Sequence, residues 1–585
     1  MKLLLDKDYE ILMEWGLEYE EDANTGFLIL KNFPLLPRFY SFNGSVIDTV
    51  EVLYIIPPNY NMSGGDMFWT HPYLTRVDGK AIPATMQFGG GDARHFKSKE
   101  YCRWSRHFGP DSWKPKVRDW IVSHPEGHER GCIVLFRRIA HQVEGLPSSD
   151  RFIAVEVINM DGDWVLESSR THFVINMRKF PEIYLRCEQE KLELGFVHNH
   201  PSGMDKFSPM DDQNEKNILH GLSGCNGKLS FLVSMVFVDE KWIARIRQGI
   251  SPETIIEARH IAVIGESIEL HGVPVPDSPS PESLKRQEVA FGKPFNMKMA
   301  SLRVAVIGLG GTGSPTATLL ARSGIGELIM VDGDILERSN MNRVRGYVAN
   351  DVGKKKASRL GAYIDSMELG TKVAVFTEYL HESPSALDAV STADVVFGCT
   401  DDVEGRDILN QAVYYYAQAL IDLGIAAKID TNKEGVPYLR DQRGRVSLVM
   451  PESGACLRCQ RVVTEELLSA ERAFKENPRL RELDAETLER EYYIRGGGVG
   501  APGIGPFTSA TADNAVATLM DLIKPFRVLP SDLRADNIWI DFKHLSIHSN
   551  EPIDDPTCIH CKTHDLLLKR EESYRLDTPR LGRIT

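Results

Sequence analysis

The stretch Leu302-Arg-Val-Ala-Val-Ile-Gly-Leu-Gly-Gly-Thr-Gly313 decides the fold of the C-terminal half of this chain. A short β-branched run ends at Ile307, a glycine-rich turn follows, and 315–322 has a helical pattern. A second apolar run covers 327–331. This order of strand, turn, helix and strand predicts a doubly wound α/β domain.

The turn between strand and helix is suited to bind a nucleotide. Glycines let a phosphate approach the N terminus of the helix, and an acidic residue at the end of the second strand suits a ribose. These residues are Gly308, Gly310, Gly311, Gly313 and Asp332. A glycine pattern alone is weak evidence, and by itself it would indicate a dinucleotide enzyme.

The residues that follow indicate a different chemistry. Residues 331–343, 351–357 and 398–402, with Arg406, closely resemble the adenylating enzymes of the ubiquitin, molybdopterin and thiamine pathways, which have a Rossmann-like fold. The match runs from about residue 285 to about residue 565. The resemblance implies ATP and Mg²⁺ as cofactors and a ubiquitin-like protein with a C-terminal glycine as partner. It also implies a homodimer formed through this domain.

The resemblance assigns a role to each matching position. It implies ribose binding by Asp332 with Asp334 in the same nucleotide site, phosphate binding by Asn340, Arg343 and Lys356, magnesium binding by Asp401, and a contribution across the dimer interface by Arg286. In such chemistry a C-terminal carboxylate attacks the α-phosphate of ATP, while cations neutralise the charge that develops.

A metal-site pattern lies in the middle of the chain. His198-Asn-His-Pro follows an apolar run, and Asp211 comes shortly afterwards. Residues two apart in a strand face the same side, so His198 and His200 can reach one ion, and Asp211 can complete a zinc site with a position left for water. The stretch resembles the JAMM metalloprotease motif at every defined position, which implies a cytidine-deaminase-like α/β fold and isopeptidase activity.

The JAMM resemblance also implies a general base and an oxyanion donor. Glu129, just before an apolar run at Cys132, is the predicted base, and Glu126 is the alternative. Ser208 would stabilise the developing oxyanion. Zinc-bound water has a pKa of about 7, so a carboxylate can take its proton at neutral pH.

Four of the nine cysteines form two Cys-x-x-Cys pairs about 100 residues apart, which is typical of a closed structural zinc site. These are Cys456, Cys459, Cys558 and Cys561. The segment 465–498 contains no cysteine, and Tyr492–Gly498 stands where a ubiquitin-activating enzyme would hold its thioester cysteine. An internal thioester in that region is therefore not expected.

The N-terminal segment resembles ubiquitin-conjugating-like domains of bacteria, an α+β fold. The resemblance rests on residues 50–60, 67–72 and 101–107 and on Trp113-Lys-Pro115. It implies Cys102 as an acceptor nucleophile, with His107 near enough in sequence to assist. A single cysteine between aromatic residues is also typical of a packed core.

Composition limits the function classes. With a net charge of −14, the chain lacks the positive field that general nucleic-acid binding requires, and no apolar run reaches membrane-spanning length. We therefore expect a cytoplasmic protein. Prolines and serines at 273–283 indicate a linker. The predicted units are a conjugating-like domain at 1–122, a JAMM domain at 123–272, a linker at 273–284 and an adenylation domain at 285–585.

Three hypotheses follow. The leading one is a fusion that trims and activates a ubiquitin-like protein, in the manner of bacterial conjugation systems often associated with antiviral defence, with possible transfer to Cys102. The second is adenylation and maturation of a sulfur-carrier protein. In the third, the N-terminal domain only docks the ubiquitin-like partner.

Overall fold

This computed structural model describes residues 15–35, 38–56, 67–77, 93–104, 117–124, 126–265, 267–451, 455–482, 503–530 and 533–553, together with residues 3, 4, 9, 12, 13, 79, 82, 85, 558, 560 and 561. Three sheets of six or more strands follow one another along this part of the chain. Shorter elements at 117–122 and 261–271 lie between them in sequence. No helix of the described ranges combines the length and apolar character of a membrane span.

The N-terminal sheet is antiparallel in the order β1-β2-β5-β6-β9-β8. Its strands are β1 (Tyr19–Asp22), β2 (Phe27–Pro34), β5 (Thr49–Ile55), β6 (Phe68–His71), β8 (Arg94–Phe96) and β9 (Lys99–Trp104). A second, small sheet contains β3 (Tyr40–Phe42), β4 (Ser45–Val46) and β7 (Thr75–Arg76), which lie in sequence between strands of the larger sheet. Helix α1 spans Val117–Val122. Ile29, Leu53, Trp69 and Tyr101 form a buried core on this sheet.

The middle sheet has the order β11-β10-β14-β15-β16-β17, in which only β14 and β15 pair in parallel. Its strands are β10 (Gly131–Ile139), β11 (Arg151–Met160), β14 (Glu193–Asn199), β15 (Phe231–Val238), β16 (Lys241–Gln248) and β17 (Ser251–Glu257). Two hairpins accompany it, β12 (Val165–Ser168) with β13 (Phe173–Ile175) and β18 (Ile261–Ile264) with β19 (Ile268–His271).

The central strands of the middle sheet are apolar on both faces, and two helices pack against one of these faces. They are α2 (Phe180–Glu190) and α3 (Pro209–Asn226). Ile133 and Phe196 of the sheet pack with Ile218 of α3, whereas Val197 packs on the other face with Trp120 of α1. Burial on both faces explains the continuous apolar runs that precede the His198 motif.

The third sheet has the order β22-β21-β20-β23-β24-β25-β26-β27 and is parallel from β22 to β24. Its strands are β20 (Arg303–Ile307), β21 (Glu327–Val331), β22 (Lys372–Phe376), β23 (Val395–Gly398), β24 (Ala419–Thr431), β25 (Pro437–Val449), β26 (Asn537–Asp541) and β27 (Ser546–Ser549). The direction of winding reverses between β20 and β23, and ligands of such sheets bind at that point.

Eight helices accompany the third sheet in the described ranges. They are α4 (Lys285–Phe291), α5 (Lys293–Ser301), α6 (Gly313–Arg322), α7 (Lys356–Asp365), α8 (Pro384–Ser391), α9 (Val403–Tyr416), α10 (Glu465–Glu476) and α11 (Gly505–Ile523). Short 3₁₀ turns cover Gly162–Trp164, Met177–Lys179, Glu282–Leu284, Arg338–Asn340, Ala349–Asp351, Leu380–Glu382 and Pro478–Glu482. The Rossmann-like architecture predicted from the glycine-rich stretch is confirmed.

Two arginines of the middle sheet end in the layer of helices on the third sheet. Arg151 donates from Nη1 to the Tyr416 carbonyl at 2.6 Å and from Nη2 to the Ala417 carbonyl at 2.9 Å, and Arg137 donates to the Tyr415 carbonyl. These carbonyls form the C-terminal end of α9, where a helix leaves acceptors without intrahelical partners. We call these contacts the arginine joint.

Apolar contacts extend the same boundary. Ile139, Val143 and Ile153 belong to the buried cluster that contains the α8 and α9 side chains. The hairpin β18–β19, which the sequence assigns to the middle domain, contributes Ile268 and Leu270 to the main core of the third sheet. The middle and third sheets are therefore packed together well beyond the linker that connects them.

Candidate functional site

The candidate metal centre lies where β14 ends and α3 begins. His198 Nε2 lies 3.2 Å from His200 Nε2 and 3.0 Å from Asp211 Oδ1, and His200 Nε2 lies 3.3 Å from Asp211 Oδ2. All three side chains are buried. Around tetrahedral zinc, with bonds of about 2.0–2.1 Å, neighbouring ligand atoms lie about 3.3 Å apart. The triangle therefore has the size that one zinc ion requires.

Asp211 is held by a helix cap. Asp211 occupies the first turn of α3, where Ser208 is the N-cap residue. The Asp211 N–H donates to Ser208 Oγ at 3.1 Å, and the Ser208 N–H donates to Asp211 Oδ2 at 2.5 Å. This reciprocal capping box fixes the carboxylate against the backbone before any ion is bound.

The electrostatics of the triangle follow from its contacts. Burial raises the pKa of Asp211, but hydrogen bonds from His198 and His200 outweigh burial and hold that pKa far below its usual range. Burial lowers the pKa of His200, yet the hydrogen bonds to Asp211 and to the Met204 carbonyl leave it raised. The second bond, from His200 Nδ1 at 2.9 Å, directs Nε2 towards the centre.

Glu129 lies beside this centre. Gly131 pairs with His198 across β10 and β14, so Glu129, two residues earlier, lies near the end of β14 that carries His198. Burial raises the pKa of the Glu129 carboxyl, although the charges of the two histidines oppose that effect. Glu126, the alternative base, is exposed and lies 3.5 Å from His128. A buried carboxyl with a raised pKa suits a group that accepts and returns a proton.

The candidate nucleotide site lies at the reversal between β20 and β23. Gly308 has φ +85°, and a Cβ there would lie 2.8 Å from the Cys399 carbonyl oxygen. A Cβ on Gly313 would lie 1.7 Å from the Gly308 oxygen. Gly310 faces open space, where no atom lies within 4 Å of an added Cβ. The glycines thus shape a tight turn with one open side at the start of α6.

Asp332 anchors this turn. Its two carboxylate oxygens accept the N–H groups of Leu309 at 2.6 Å and Asp334 at 2.8 Å. Burial raises the pKa of Asp332, and the charge of Lys356 opposes that rise. Lys356 Nζ in turn lies 2.8 Å from Asp334 Oδ2. Asp332, Asp334 and Lys356 therefore form one connected group.

Of the other predicted nucleotide residues, Arg343 lies against the glycine turn. Arg343 packs along Gly311, since a Cβ on that glycine would lie 3.1 Å from Arg343 Cδ. Asn340 Oδ1 accepts the Glu337 N–H at 3.1 Å. Asp401 is exposed just after β23. Arg286 is exposed on α4, and its predicted contact across a dimer stays a prediction.

Sequence reasoning missed three residues near this site. Tyr379 donates its hydroxyl to Asp334 Oδ1 at 2.5 Å. Asp422, fully buried on β24 opposite Gly398, pairs with Arg445 and lies 3.4 Å from Arg406. The position of an aromatic residue shortly after β22 could have indicated Tyr379, whereas no local sequence motif marks the Asp422–Arg445 pair.

The four predicted zinc cysteines come together. Cys456 Sγ lies 3.7 Å from Cys459 Sγ and 3.6 Å from Cys558 Sγ, and Cys459 Sγ lies 3.5 Å from Cys561 Sγ. Tetrahedral zinc with Zn–S bonds of about 2.3 Å separates its sulfurs by about 3.8 Å. The cluster thus fits a closed four-thiolate zinc site, to which each Cys-x-x-Cys pair contributes two sulfurs.

Cys102 lies in a different environment. It pairs with Thr70 in the N-terminal sheet and is 1% exposed. Burial, with a smaller effect of the Glu100 charge, raises the pKa of its thiol to about 11. Activated nucleophilic cysteines have lowered pKa values, so this environment favours a packed thiol. The predicted helper His107 and the Tyr492–Gly498 segment lie outside the described residues.

Comparison with known proteins gives two family matches, one in the C-terminal half of the chain and one at its N-terminal end. Residues 284–553 match the ThiF family. Residues 4–126 match Prokaryotic E2 family E. The chain thus has one segment that matches Prokaryotic E2 family E and one that matches the ThiF family, and we call the latter, residues 284–553, the ThiF segment.

Curated relatives match parts of this chain. The SAMP-activating enzyme E1 of Haloferax volcanii is 29% identical over 166 residues, 28% of this chain and 54% of that protein. Ubiquitin-like modifier-activating enzyme 5 of Drosophila erecta is 25% identical over 267 residues, 44% of this chain and 58% of the relative. Adenylyltransferase and sulfurtransferase MOCS3 of Drosophila ananassae is 29% identical over 169 residues, 29% of this chain and 34% of the relative. The chain thus spans about a third to three fifths of these relatives.

Among solved structures, Escherichia coli MccB with ATP is similar over 49% of this chain and 76% of that chain, with 20% identity and a TM-score of 0.36. A TM-score of this size is too low to align the two sites residue by residue.

Proposed function

We propose that this chain processes and activates a ubiquitin-like protein. One activity would be zinc-dependent cleavage at the tail of that protein or of its conjugates, and the other ATP-dependent adenylation of its C-terminal glycine. The observation that carries the proposal is the presence, in one chain, of a ThiF segment and a buried two-histidine, one-carboxylate triangle of zinc dimensions. A setting in bacterial conjugation and antiviral defence is part of the proposal.

For cleavage, His198, His200 and Asp211 would hold the zinc ion. Bound zinc supplies a water of pKa about 7 and polarises a carbonyl. Burial suits Glu129 to hold the proton lost by that water and to return it to the leaving amine. Ser208 Oγ accepts the Asp211 N–H, so its own hydroxyl proton can donate to the substrate carbonyl oxygen.

For adenylation, the C-terminal carboxylate would attack the α-phosphate of ATP and displace pyrophosphate. The open side of the turn at Gly310 leaves room for phosphates at the N terminus of α6. Arg343 and Lys356 lie on the loop and helix that flank this turn, and Asp401 is exposed to receive magnesium. The cations would neutralise charge on the transferring group and on pyrophosphate.

Pyrophosphate exchange tests the adenylation half. With ATP, Mg²⁺ and a ubiquitin-like protein that ends in glycine, we expect exchange that Asp401→Asn lowers by about 100-fold. Asp365→Asn, at an exposed position on α7, serves as the control and should leave exchange unchanged. Absence of exchange with every glycine-ended partner tried would reject this activity.

Zinc content and cleavage test the metalloprotease half. We expect two zinc ions per chain by elemental analysis, and one in His198→Ala. Glu129→Gln should keep both ions but lose cleavage of a tail-extended or lysine-linked substrate. Glu126→Gln and the exposed His220→Ala should behave like wild type. Cleavage that persists in His198→Ala would show that the triangle is not the catalytic centre.

The second candidate is sulfur-carrier maturation, in which the adenylated carrier becomes a thiocarboxylate. The similarity to a relative named adenylyltransferase and sulfurtransferase favours it. A sulfide-dependent mass shift of the carrier would support this reading. Lysine-linked products would instead support conjugation as the main role.

A further inference from the structure

A compact group of opposite charges joins the helix that carries Asp211 to a neighbouring strand. Glu215 of α3 accepts from Arg245 Nε at 3.0 Å and from Arg247 Nε at 2.8 Å. Asp212 Oδ1 accepts from Arg245 Nη2 at 2.6 Å and from Arg247 Nη2 at 2.7 Å. Both arginines lie on β16. We call these four residues the charge clamp.

The charge clamp is almost completely shielded from water. Glu215 is 0% exposed, Arg247 2% and Arg245 8%, while Asp212 is partly exposed. Buried charges carry a large desolvation cost and are tolerated only with good geometry and satisfied hydrogen bonds. Two positive and two negative groups balance here, and Arg247 Nη1 also donates to the Pro252 carbonyl at 2.8 Å. The position of α3 relative to β16 is therefore closely fixed.

The charge clamp contacts residues both before and after Asp211 along the chain. Asp212 directly follows Asp211, the predicted ligand. On the other side, the Arg245 guanidinium lies 3.9 Å from the centre of the Phe207 ring. Phe207 directly precedes Ser208, which caps α3 and bonds Asp211. One arginine thus contacts the residues immediately before and after the capping box.

The arginines of the charge clamp offset repulsion between carboxylates at the start of α3. Asp211, Asp212 and Glu215 lie on the first two turns of α3, and neighbouring carboxylates repel each other. The two arginines engage Asp212 and Glu215 but form no hydrogen bond with Asp211 among the described contacts. Asp211 keeps its bonds to the histidines instead. The arginines neutralise Asp212 and Glu215, so the Asp211 carboxylate remains available to the candidate metal centre.

We propose that Arg245, Arg247, Asp212 and Glu215 are positioning residues that preset Asp211 and Ser208 for zinc binding and for contact with the substrate oxygen. This inference rests on the metalloprotease half of the proposed function. It assigns a role to four residues that do not touch the ion. Second-sphere changes of this kind typically lower metal affinity by about 10- to 100-fold.

The test compares zinc affinity with folding in the full-length protein. Arg247→Met removes one clamp residue and leaves Glu215 with one partner. In a chelator competition, we expect the weaker zinc site, assigned by its loss in His198→Ala, to lose at least about 10-fold in affinity. Arg186→Met, on α2, breaks a partly exposed ion pair with Glu156 of β11 and should leave that affinity unchanged.

A double variant separates positioning from folding. Glu215→Met with Arg247→Met removes a buried pair without leaving a lone charge, and such exchanges are often tolerated by the fold. We expect its thermal midpoint without zinc to stay near that of wild type while zinc affinity and cleavage fall. Wild-type affinity in this folded double variant would overturn the proposal. A wild-type protein without zinc at His198 would instead reject the metal centre itself.

Discussion

At the scale of single residues, Cys102 shows how environment decides chemistry. Its thiol lies inside a sheet, and burial raises its pKa to about 11. At neutral pH only a very small fraction is thiolate, the form that attacks acyl groups. This favours the hypothesis in which the N-terminal domain docks the ubiquitin-like partner without forming a thioester.

Alkylation measured by mass spectrometry tests this environment. At pH 8 we expect iodoacetamide to modify the exposed Cys225 in the native protein, and to modify Cys102 at least about 100-fold more slowly, because little thiolate is present and access is blocked. The two cysteines should react similarly in denaturant. Either of two results would instead support Cys102 as a nucleophile. One is fast labelling of Cys102 in the native protein, and the other is a thiol-sensitive adduct with the ubiquitin-like partner that Cys102→Ala abolishes.

Gly313 offers a second residue-scale prediction. A methyl group there would meet the Gly308 carbonyl oxygen at 1.7 Å, so Gly313→Ala must displace the turn. We expect ATP affinity to fall at least about 10-fold, and the thermal midpoint to fall as well, because such contacts force backbone shifts. Gly224→Ala, where an added Cβ meets nothing within 4 Å, is the matched control. Unchanged ATP binding in Gly313→Ala would place the nucleotide elsewhere.

Local spacing predicted much of the candidate site. His198 lies in β14 and His200 directly follows its last residue, and the structure brings both close to Asp211. The capping box at Ser208 was not foreseen, although a serine three residues before an acid is its usual signature. The Asp422–Arg445 pair could not be foreseen, since buried partners far apart in sequence leave no periodic trace.

At the scale of elements, the four-cysteine cluster joins two distant turns. Cys456 and Cys558 are 102 residues apart, and their sulfurs lie 3.6 Å from each other. A zinc ion bound there stabilises the folded form, because the unfolded chain lacks a preformed site. The cluster should therefore hold the turn at Cys558, beyond the end of the ThiF segment, against the turn at Cys456 within it.

We expect Cys558→Ser to lose one zinc ion and to lower the thermal midpoint of the protein by several degrees, because each kcal/mol shifts a domain of this size by about 2–4 °C. Cys225→Ser, at an exposed position, should change neither quantity. Differential scanning calorimetry with zinc analysis measures both. A variant that keeps two zinc ions would show that the four thiols do not form the second site.

Elements with local signals were the predictable ones. The strand, glycine turn, helix and strand from Arg303 to Val331 follow the sequence pattern because each boundary has its own punctuation. The antiparallel extension β25 to β27 was not predicted. Its pairing depends on contacts across long loops, which apolar periodicity does not record.

At the scale of the whole molecule, the arginine joint connects the two candidate catalytic units. Replacing Arg137 and Arg151 by methionine together would remove their hydrogen bonds to the helix-end carbonyls of Tyr415, Tyr416 and Ala417, at about 1 kcal/mol each. We expect the double variant to unfold in two separated steps, with faster proteolysis between the middle and third sheets. Arg186→Met should keep the wild-type transition, and a single unchanged transition in the double variant would show that apolar packing alone connects the units.

Acid sensitivity gives a further prediction at the same boundary. Burial opposes ionisation of Asp394, but His260, Arg151 and the Arg303 N–H outweigh burial and lower its pKa to about 2. A lowered folded pKa stabilises the protein above pH 4, and this stabilisation, about 2 kcal/mol, is lost as the pH falls towards 2. Asp394→Asn should therefore be less stable than wild type at pH 6, with a gap that narrows in acid.

Thermal melts from pH 6 to pH 3 measure this gap, and Asp365→Asn, at an exposed position, should follow wild type throughout. A constant gap would contradict the assignment. This boundary is also where the sequence was least informative, because the prolines and serines of residues 273–283 describe the covalent connection only. They say nothing about the side chains that pack across it.

The arginine joint has a kinetic consequence. If the middle and third sheets stay together, the two centres cannot swing towards each other, so a trimmed tail must leave the first centre before it enters the second. The two reactions would then be distributive. An added tail-binding scavenger should intercept the intermediate in proportion to its concentration, and dilution of the enzyme should lengthen the lag before adenylate appears.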